Sequence, residues 1–480
     1  MSTSAKPEIE IRNKFKIKKW IGLILAFAAL LLIILMPHQQ GLSQAGQNTL
    51  AVFVFAFILW VTQTVNMVVS SIMIFVVMAV LKIGDTASIL SGFSSKSPIT
   101  MLGAFLIAAG VSESGLANRI AYKILQRFHS RNEMIFASFI VISFILTPFL
   151  PAAAGRAALL LPLATGILGV LGAKEGSNSA KMLLAGGIGF SQGMSSNLFI
   201  TGMSTNLLAL DLIQKGTGVT ITYSHWLLAG LPLSILPPVF VYLVYRWIYP
   251  PEKPEVGGDL TQYIEQELKA LGPITRNEKV TIVILALALF FWVTGLFGFS
   301  GWVVAVTAGA LFQMPGIEIT TWRKAKDFVP WQIFILFAVA ISLGNFLFKT
   351  KSVNWLTDHT LLACGMGSWG WVLAMFVILL GVHLIHAGII SAGPMLSLLI
   401  PPLIIFAQKI GWDPVALSLL VIANIHMPNI LPISLEPSMI VFGSGYYKFT
   451  DTVRPGIILT VIWILLSLAC AAFWPWLKIL

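Results

Sequence analysis

Acidic residues are scarce in this sequence. Only 19 aspartates and glutamates stand among 480 residues, against 30 lysines and arginines, and charged residues of all kinds make up 10%. So little charge over such a length excludes a water-soluble domain. Cysteine is nearly missing too: Cys364 and Cys470 both sit in apolar stretches, which excludes a disulfide framework and a thiolate metal cluster. Nucleotide chemistry lacks its signature, since Gly186-Gly-Ile-Gly189 is not followed by the Gly-Lys-Ser/Thr of a phosphate loop. The histidines lie in separate stretches, so no Ser–His–Asp set can be assembled. Neither a catalytic residue nor a resident cofactor or metal is read from the sequence, and the chain is not read as an enzyme.

Hydrophobic residues fill what is left, at 57% of the chain and a mean hydropathy of +0.89. Several runs reach the roughly 20 apolar residues that cross a bilayer. The expected fold is all-α and polytopic, with about 11 transmembrane helices. A basic leader, residues 1–19 ending in Arg12-Asn-Lys-Phe-Lys-Ile-Lys-Lys19, precedes a first membrane helix within 20–44. Its long core and the absence of a small-residue cleavage site read as a retained helix with its N-terminus in the cytoplasm. The net charge of +11 is then topological, because basic residues flank spans, here and around Arg119, Lys123, Arg127 and Arg131. Nucleic acid is excluded as a partner on the same ground. Further spans are expected near 48–66, 68–82, 98–113, 133–150, 179–214 and 226–249, and again near 279–298, 300–314, 330–348, 370–390, 414–445 and 455–477. Segment 118–130 alternates basic and apolar residues at helical spacing and reads as an interfacial helix.

The two halves match in order. A first repeat over 45–249 and a second over 279–480 flank a polar linker at 250–278 that mixes both charge signs with proline and glycine. Pro98-Ile-Thr-Met-Leu-Gly aligns with Pro330-Trp-Gln-Ile-Phe-Ile, and Tyr223-Ser-His-Trp-Leu-Leu-Ala-Gly with Phe449-Thr-Asp-Thr-Val-Arg-Pro-Gly. Each half also holds an apolar stretch broken by proline and small residues. These are Thr147-Pro-Phe-Leu-Pro-Ala-Ala-Ala-Gly-Arg156 and His386-Ala-Gly-Ile-Ile-Ser-Ala-Gly-Pro394, expected as hairpins over about 133–162 and 370–401. Paired interruptions of this kind mark the binding site of a secondary transporter, where half-helix ends meet near mid-membrane.

Pro437-Ser-Met-Ile-Val-Phe-Gly-Ser-Gly-Tyr446, followed by Phe449, Asp451 and Gly456, closely resembles the C-terminal signature of the divalent anion–sodium symporter family. Gly202-Met-Ser-Thr-Asn206 resembles that family's first-half Gly-Thr-Pro-Pro-Asn element, and Ser114-Gly-Leu-Ala-Asn-Arg-Ile-Ala121 its interfacial helix. The resemblance covers about residues 45–480. It implies an inverted repeat, scaffold and transport domains, two re-entrant hairpins, a homodimer in the plasma membrane and elevator-type movement of a small anion with sodium. It also implies that substrate binding falls to Ala153, Ala154, Arg156, Asn206, Ser391, Ala392, Gly393 and Ser438. By the resemblance, cation coupling would fall to Ala152, Ser204 and Thr205; the polar density of 191–201 adds Ser195 and Asn197, and titratable chemistry adds Glu436 and His386, as candidates for cation or proton coupling.

Departures from the family pattern are informative. The family carries Ser-Asn-Thr at each hairpin tip, whereas this chain has Ala152-Ala153-Ala154 at the first and Ser391-Ala392-Gly393 at the second. Alanine supplies no hydroxyl or amide ligand, so sodium at the first tip would rest on backbone oxygens. Arg156 stands where the carboxylate branch of the family often has arginine. An arginine at membrane depth needs an anion, an acid or a capping role, and all three stay open. Ser191-Gln-Gly-Met-Ser-Ser-Asn197 is dense in hydroxyl and amide groups, as in a lined cavity or a helix contact. His383, His386 and His426 admit a proton route or plain hydrogen-bonded burial. Glu436 replaces a family proline, and Ser438 its asparagine. Glu436 reads as a proton carrier, as a partner of Arg156 or a cation, or as a loop residue. Glu113 is expected at an interface, and Asp211 paired with Lys215.

The expected function is a secondary carrier of small anions, di- or tricarboxylates ahead of sulfate, with sodium coupling drawn from the resemblance. A proton-coupled carrier, an anion exchanger of the same fold and an anion channel are the competing readings.

Overall fold

A computed structural model describes residues 5–37, 39–128, 130–252, 258–388, 391–427, 430–432 and 434–477. The fold is all-helical, with no strand among the described residues. The first half contains α1 (Ala5–Leu35), α2 (Gln44–Thr62), α3 (Met67–Val80), α4 (Lys96–Ser114), α5 (Leu116–Arg127), α6 (Asn132–Leu146) and α7 (Ala153–Val170). It ends with α8 (178–198), α9 (Ser204–Thr217) and α10 (Tyr223–Ile248). After α11 (Gly258–Ala270), the second half comprises α12 (Arg276–Thr294), α13 (Gly301–Leu311), α14 (Trp331–Lys349), α15 (Trp371–Gly388), α16 (Ala392–Ile410), α17 (Pro414–Ile425), α18 (Glu436–Phe442) and α19 (Val453–Leu477).

Among the described residues, eight helices are long and apolar enough to cross a membrane, and several shorter ones are apolar as well. Their outward side chains, among them Ile24, Leu32, Val76, Val80, Val283, Leu287, Leu384 and Leu465, are large, apolar and exposed. Such a surface is stable against lipid tails and unstable against water. Helix starts follow ordinary capping chemistry at the periphery. Ser43 accepts from the Gly46 amide, Asn66 from Val68, and Thr275 forms a capping box with Glu278.

The halves interlock. Helix α3 packs on α14 and α13 on α4, while α7 packs on α18 and α16 on α9, so helices of each half rest on the other half. Glycine permits the closest of these contacts. A Cβ on Gly103 of α4 would lie 2.5 Å from the Val306 amide nitrogen, and one on Gly309 of α13 would lie 2.8 Å from the Gly103 carbonyl.

Two stretches expected as single spans are divided. The 179–214 stretch opens between α8 and α9, where Phe199 and Met203 are extended. The 414–445 stretch opens between α17 and α18, where Leu435 is extended. Carbonyls freed at the first break are met by side chains, since Asn206 Nδ2 donates to Ser196 O and Phe199 O at 2.9 Å each. The linker also differs from a merely solvated connection. Its residues 253–257 lie outside the described residues, but α11 is amphipathic and buries Leu260 and Ile264 against α5 and α7. Arg119 is no free interfacial charge. It is buried, pairs with Glu278 at 2.6 Å and donates to the carbonyls of Leu271, Gly272 and Pro273, fastening α5 to the end of α11. Asp211 accepts from Ser95 in place of the expected Lys215 pairing, and Glu113 meets Lys324 at 2.5 Å.

Candidate functional site

Four helices begin at one place. Ala152 precedes α7, Ser391 precedes α16, Met203 precedes α9 and Leu435 precedes α18. None of these four N-cap positions makes a side-chain capping bond. The first-turn N–H groups, which Pro394 and Pro437 lack, therefore receive no bond from these N-cap side chains, and the positive ends of the peptide dipoles converge. Between them lies a cavity of about 1020 Å³, at the upper end of the usual range for ligand sites. Residues 152–156 and 391–393 line it together, so the two interrupted segments meet at one site.

Of the residues singled out in the sequence, Ala152, Ala153, Ala154, Arg156, Ser204, Thr205, Ser391, Ala392, Gly393 and Glu436 border this cavity. The others stand behind it. Ser195 donates to the Gln192 carbonyl and receives Thr147 Oγ1 at 2.8 Å. Asn206 bridges the α8–α9 break, as above, and Ser438 Oγ donates to Gly189 O at 3.2 Å. Asn197 and His386 belong to a buried polar group further back.

Arg156 is completely buried and, among the described residues, forms no ion pair. Nε donates to Gln192 Oε1 at 2.7 Å, Nη1 to the carbonyls of Leu150 and Gly202 (2.9 Å to the latter), and Nη2 to Gln192 O at 3.2 Å and Ser196 Oγ at 2.8 Å. All five donors of the guanidinium are thus engaged. The side chain bolts the first tip to α8 and to the backbone at 202, and its charge reaches the cavity as a field.

A second polar chain ends at the cavity wall. Asn197 Nδ2 donates to Ala423 O at 3.1 Å, which leaves its Oδ1 to accept from His426 Nδ1 at 3.0 Å. In the neutral imidazole Nε2 is then an acceptor, and it takes the Thr205 hydroxyl proton at 2.8 Å. Thr205 accordingly offers lone pairs, not a proton, to the cavity. His383 meets Asn424 Oδ1 at 3.1 Å, and Asn424 in turn donates to Ser467. His386 is buried beside these rings, and among the described residues neither of its nitrogens makes a hydrogen bond of good geometry.

Part of the cavity wall is built by residues that span-by-span reading passed over. Tyr122 of α5 donates to Glu267 of α11 at 3.1 Å, and Tyr263 stands next to them. Burial raises the Tyr122 phenol above its ordinary value, with Tyr263 and Glu267 adding to it, so it remains a protonated donor. The spacing of Leu260, Ile264 and Leu268 was the available signal for this helix. For Gln192 and Ser196, the polar density of 191–197 was the signal. Among the described residues no group of three His, Cys, Asp or Glu side chains gathers to hold a metal ion.

Comparison with known proteins fits this arrangement. The chain is 29% identical over 480 residues to a protein of Cupriavidus necator named only as a membrane protein, covering 95% of this chain and 92% of that one. It is 25% identical to the putative malate transporter YflS of Bacillus subtilis (95% and 96% covered) and 26% identical to a citrate/succinate antiporter of Escherichia coli (80% and 79%). The crystal structure of the YdaH transporter of Alcanivorax borkumensis shares the fold with a TM-score of 0.55 at 13% identity, over 82% of this chain and 88% of that one. Residues 17–480 match the family described as the sodium:sulfate symporter transmembrane region, and the chain belongs to that family, the divalent anion–sodium symporters.

Proposed function

We propose that this protein is a secondary carrier that moves small di- or tricarboxylates across the plasma membrane by alternating access of the cavity between its two hairpins. The observation that carries the reading is the convergence of four helix starts without side-chain caps on one cavity, above a buried arginine that forms no ion pair among the described residues. Backbone N–H groups and helix dipoles of this kind favour an anion at mid-membrane. The named relatives, a putative malate transporter and a citrate/succinate antiporter, support carboxylates ahead of sulfate. An elevator-type movement, a homodimer and a cytoplasmic N-terminus belong to the same proposal. The basic leader before Trp20 supports that orientation.

Sodium symport would here rest on backbone oxygens, Ser391 and the first turn of α9 at Ser204 and Thr205. Exchange of one carboxylate for another is the second reading, and alanine at 152–154 favours it because exchange demands no side-chain cation ligand there. Proteoliposome uptake of labelled succinate, citrate and sulfate tests the proposal. Saturable carboxylate uptake with counterflow is expected, whereas flux that neither saturates nor shows counterflow would mean a channel.

A further inference from the structure

Glu436 opens α18 on the wall of the cavity, half-buried, and no hydrogen bond or ion pair holds its carboxylate among the described residues. It therefore stands, unneutralised, in the chamber that the reading above assigns to a carboxylate dianion. Like charges sharing a poorly solvated cavity repel strongly, and one of them must be discharged before both fit.

No neighbouring side chain pairs with Glu436 directly. Helices α7 and α8 pack against α18. The charged residue of α7 is Arg156, whose donors are all committed to Gln192, Leu150, Gly202 and Ser196. That of α8 is Lys181, which pairs with Asp451 at 3.3 Å. Across the cavity, the ionisable groups on α5 and α11 are Tyr122, which donates to Glu267, Glu267 itself, and Tyr263. Behind Thr205 stands His426, whose Nδ1 proton goes to Asn197 and whose Nε2 takes the Thr205 proton. Thr205 thus turns lone pairs to the cavity, which suits an O–H donor and repels a carboxylate.

We infer that Glu436 takes up one proton when the dicarboxylate binds, so that the loaded site holds a neutral carboxylic acid beside the substrate. The proton comes from the aqueous phase through the cavity mouth and forms an O–H bond on a Glu436 carboxylate oxygen. No bond to the substrate is made or broken. A proton needs one acceptor, whereas sodium needs several oxygens, and alanine at 152–154 has removed the side chains that would supply them at the first tip.

This inference rests on the carboxylate reading, and the test separates the two. Succinate is added to the purified protein in a weakly buffered solution containing a pH indicator, and its affinity is measured between about pH 7 and 8.5, above the range where succinate itself titrates. The wild type should withdraw about one proton per bound succinate, and its affinity should fall up to about tenfold per pH unit. Glu436→Gln should bind with no proton uptake and a flat pH profile, while Glu436→Asp should restore both. Succinate binding by the wild type without proton uptake overturns the inference and leaves the carboxylate reading standing. So does an affinity that rises with sodium and ignores pH. Proton uptake that persists in Glu436→Gln overturns the assignment to this residue, and absence of binding and counterflow for every carboxylate sinks both readings.

Discussion

Arg156 forms no ion pair among the described residues, and its energetics follow from its five donors. Together they serve carbonyl, amide and hydroxyl oxygens of four residues, Gln192, Ser196, Leu150 before the first interruption and Gly202 in the α8–α9 break. Lysine has three donors on a flexible stem and cannot reproduce this fork. Arg156→Lys should therefore destabilise the protein by about 3 kcal/mol or more, through buried acceptors left unmet, and lower its thermal transition in detergent. A variant with unchanged thermal stability and only a weakened apparent affinity would mean that the guanidinium leaves these partners to meet the substrate. The sequence made Arg156 conspicuous, because an arginine inside an apolar run needs a reason. It did not name Gln192 and Ser196 as partners, since contacts 36 and 40 residues apart depend on how α7 docks on α8. The orientation of the Thr205 hydroxyl was equally hidden, being set by His426 and Asn197 from two other helices.

Hydropathy located the helices well because a lipid-facing element must be apolar along its length, whatever its partners. It missed the opening before α18, where Leu435 is extended, and the break between α8 and α9, where Phe199 and Met203 are extended and side-chain donors elsewhere take over the freed carbonyls. Asn206 does so for Ser196 and Phe199, and Trp226 Nε1 for Asn197 at 3.0 Å. These breaks depend on close helix contact. A Cβ on Gly193 of α8 would lie 2.0 Å from the His426 carbonyl oxygen, a backbone atom with no rotamer to change. Gly193→Ala should push α8 away from the end of α17, cost about 1–3 kcal/mol and disturb the Asn197–His426–Thr205 chain. Gly169→Ala is the comparison, since nothing lies within 4 Å of its Cβ position in the last turns of α7. That substitution should be neutral or stabilising by about 0.5 kcal/mol. Equal thermal transitions for the two variants would show that the α8–α17 contact yields easily.

Neither half closes a core alone. Helix α7 rests on α18, α16 rests on α9, and α3 and α13 pack on α14 and α4 across the same boundary. Removing the second half would expose the faces of α7 and α8 that α18 covers, among them the Gly189 carbonyl that Ser438 meets. Two bodies merely tied by a linker would behave otherwise, since each would keep its own buried surface. The chain crosses from one half to the other only once, through 250–275, where Arg119 clasps the end of α11. Cutting there should cost little beyond effective concentration, because the interlocked surface holds the halves together. Fragments 1–252 and 258–480, expressed together with a tag on one, should therefore copurify from detergent and give one thermal transition. Either fragment expressed alone should be degraded or aggregate. A first-half fragment that alone gave a sharp transition and a symmetric elution peak would show the halves to be independent domains, and a site assembled from both tips would then form only after docking.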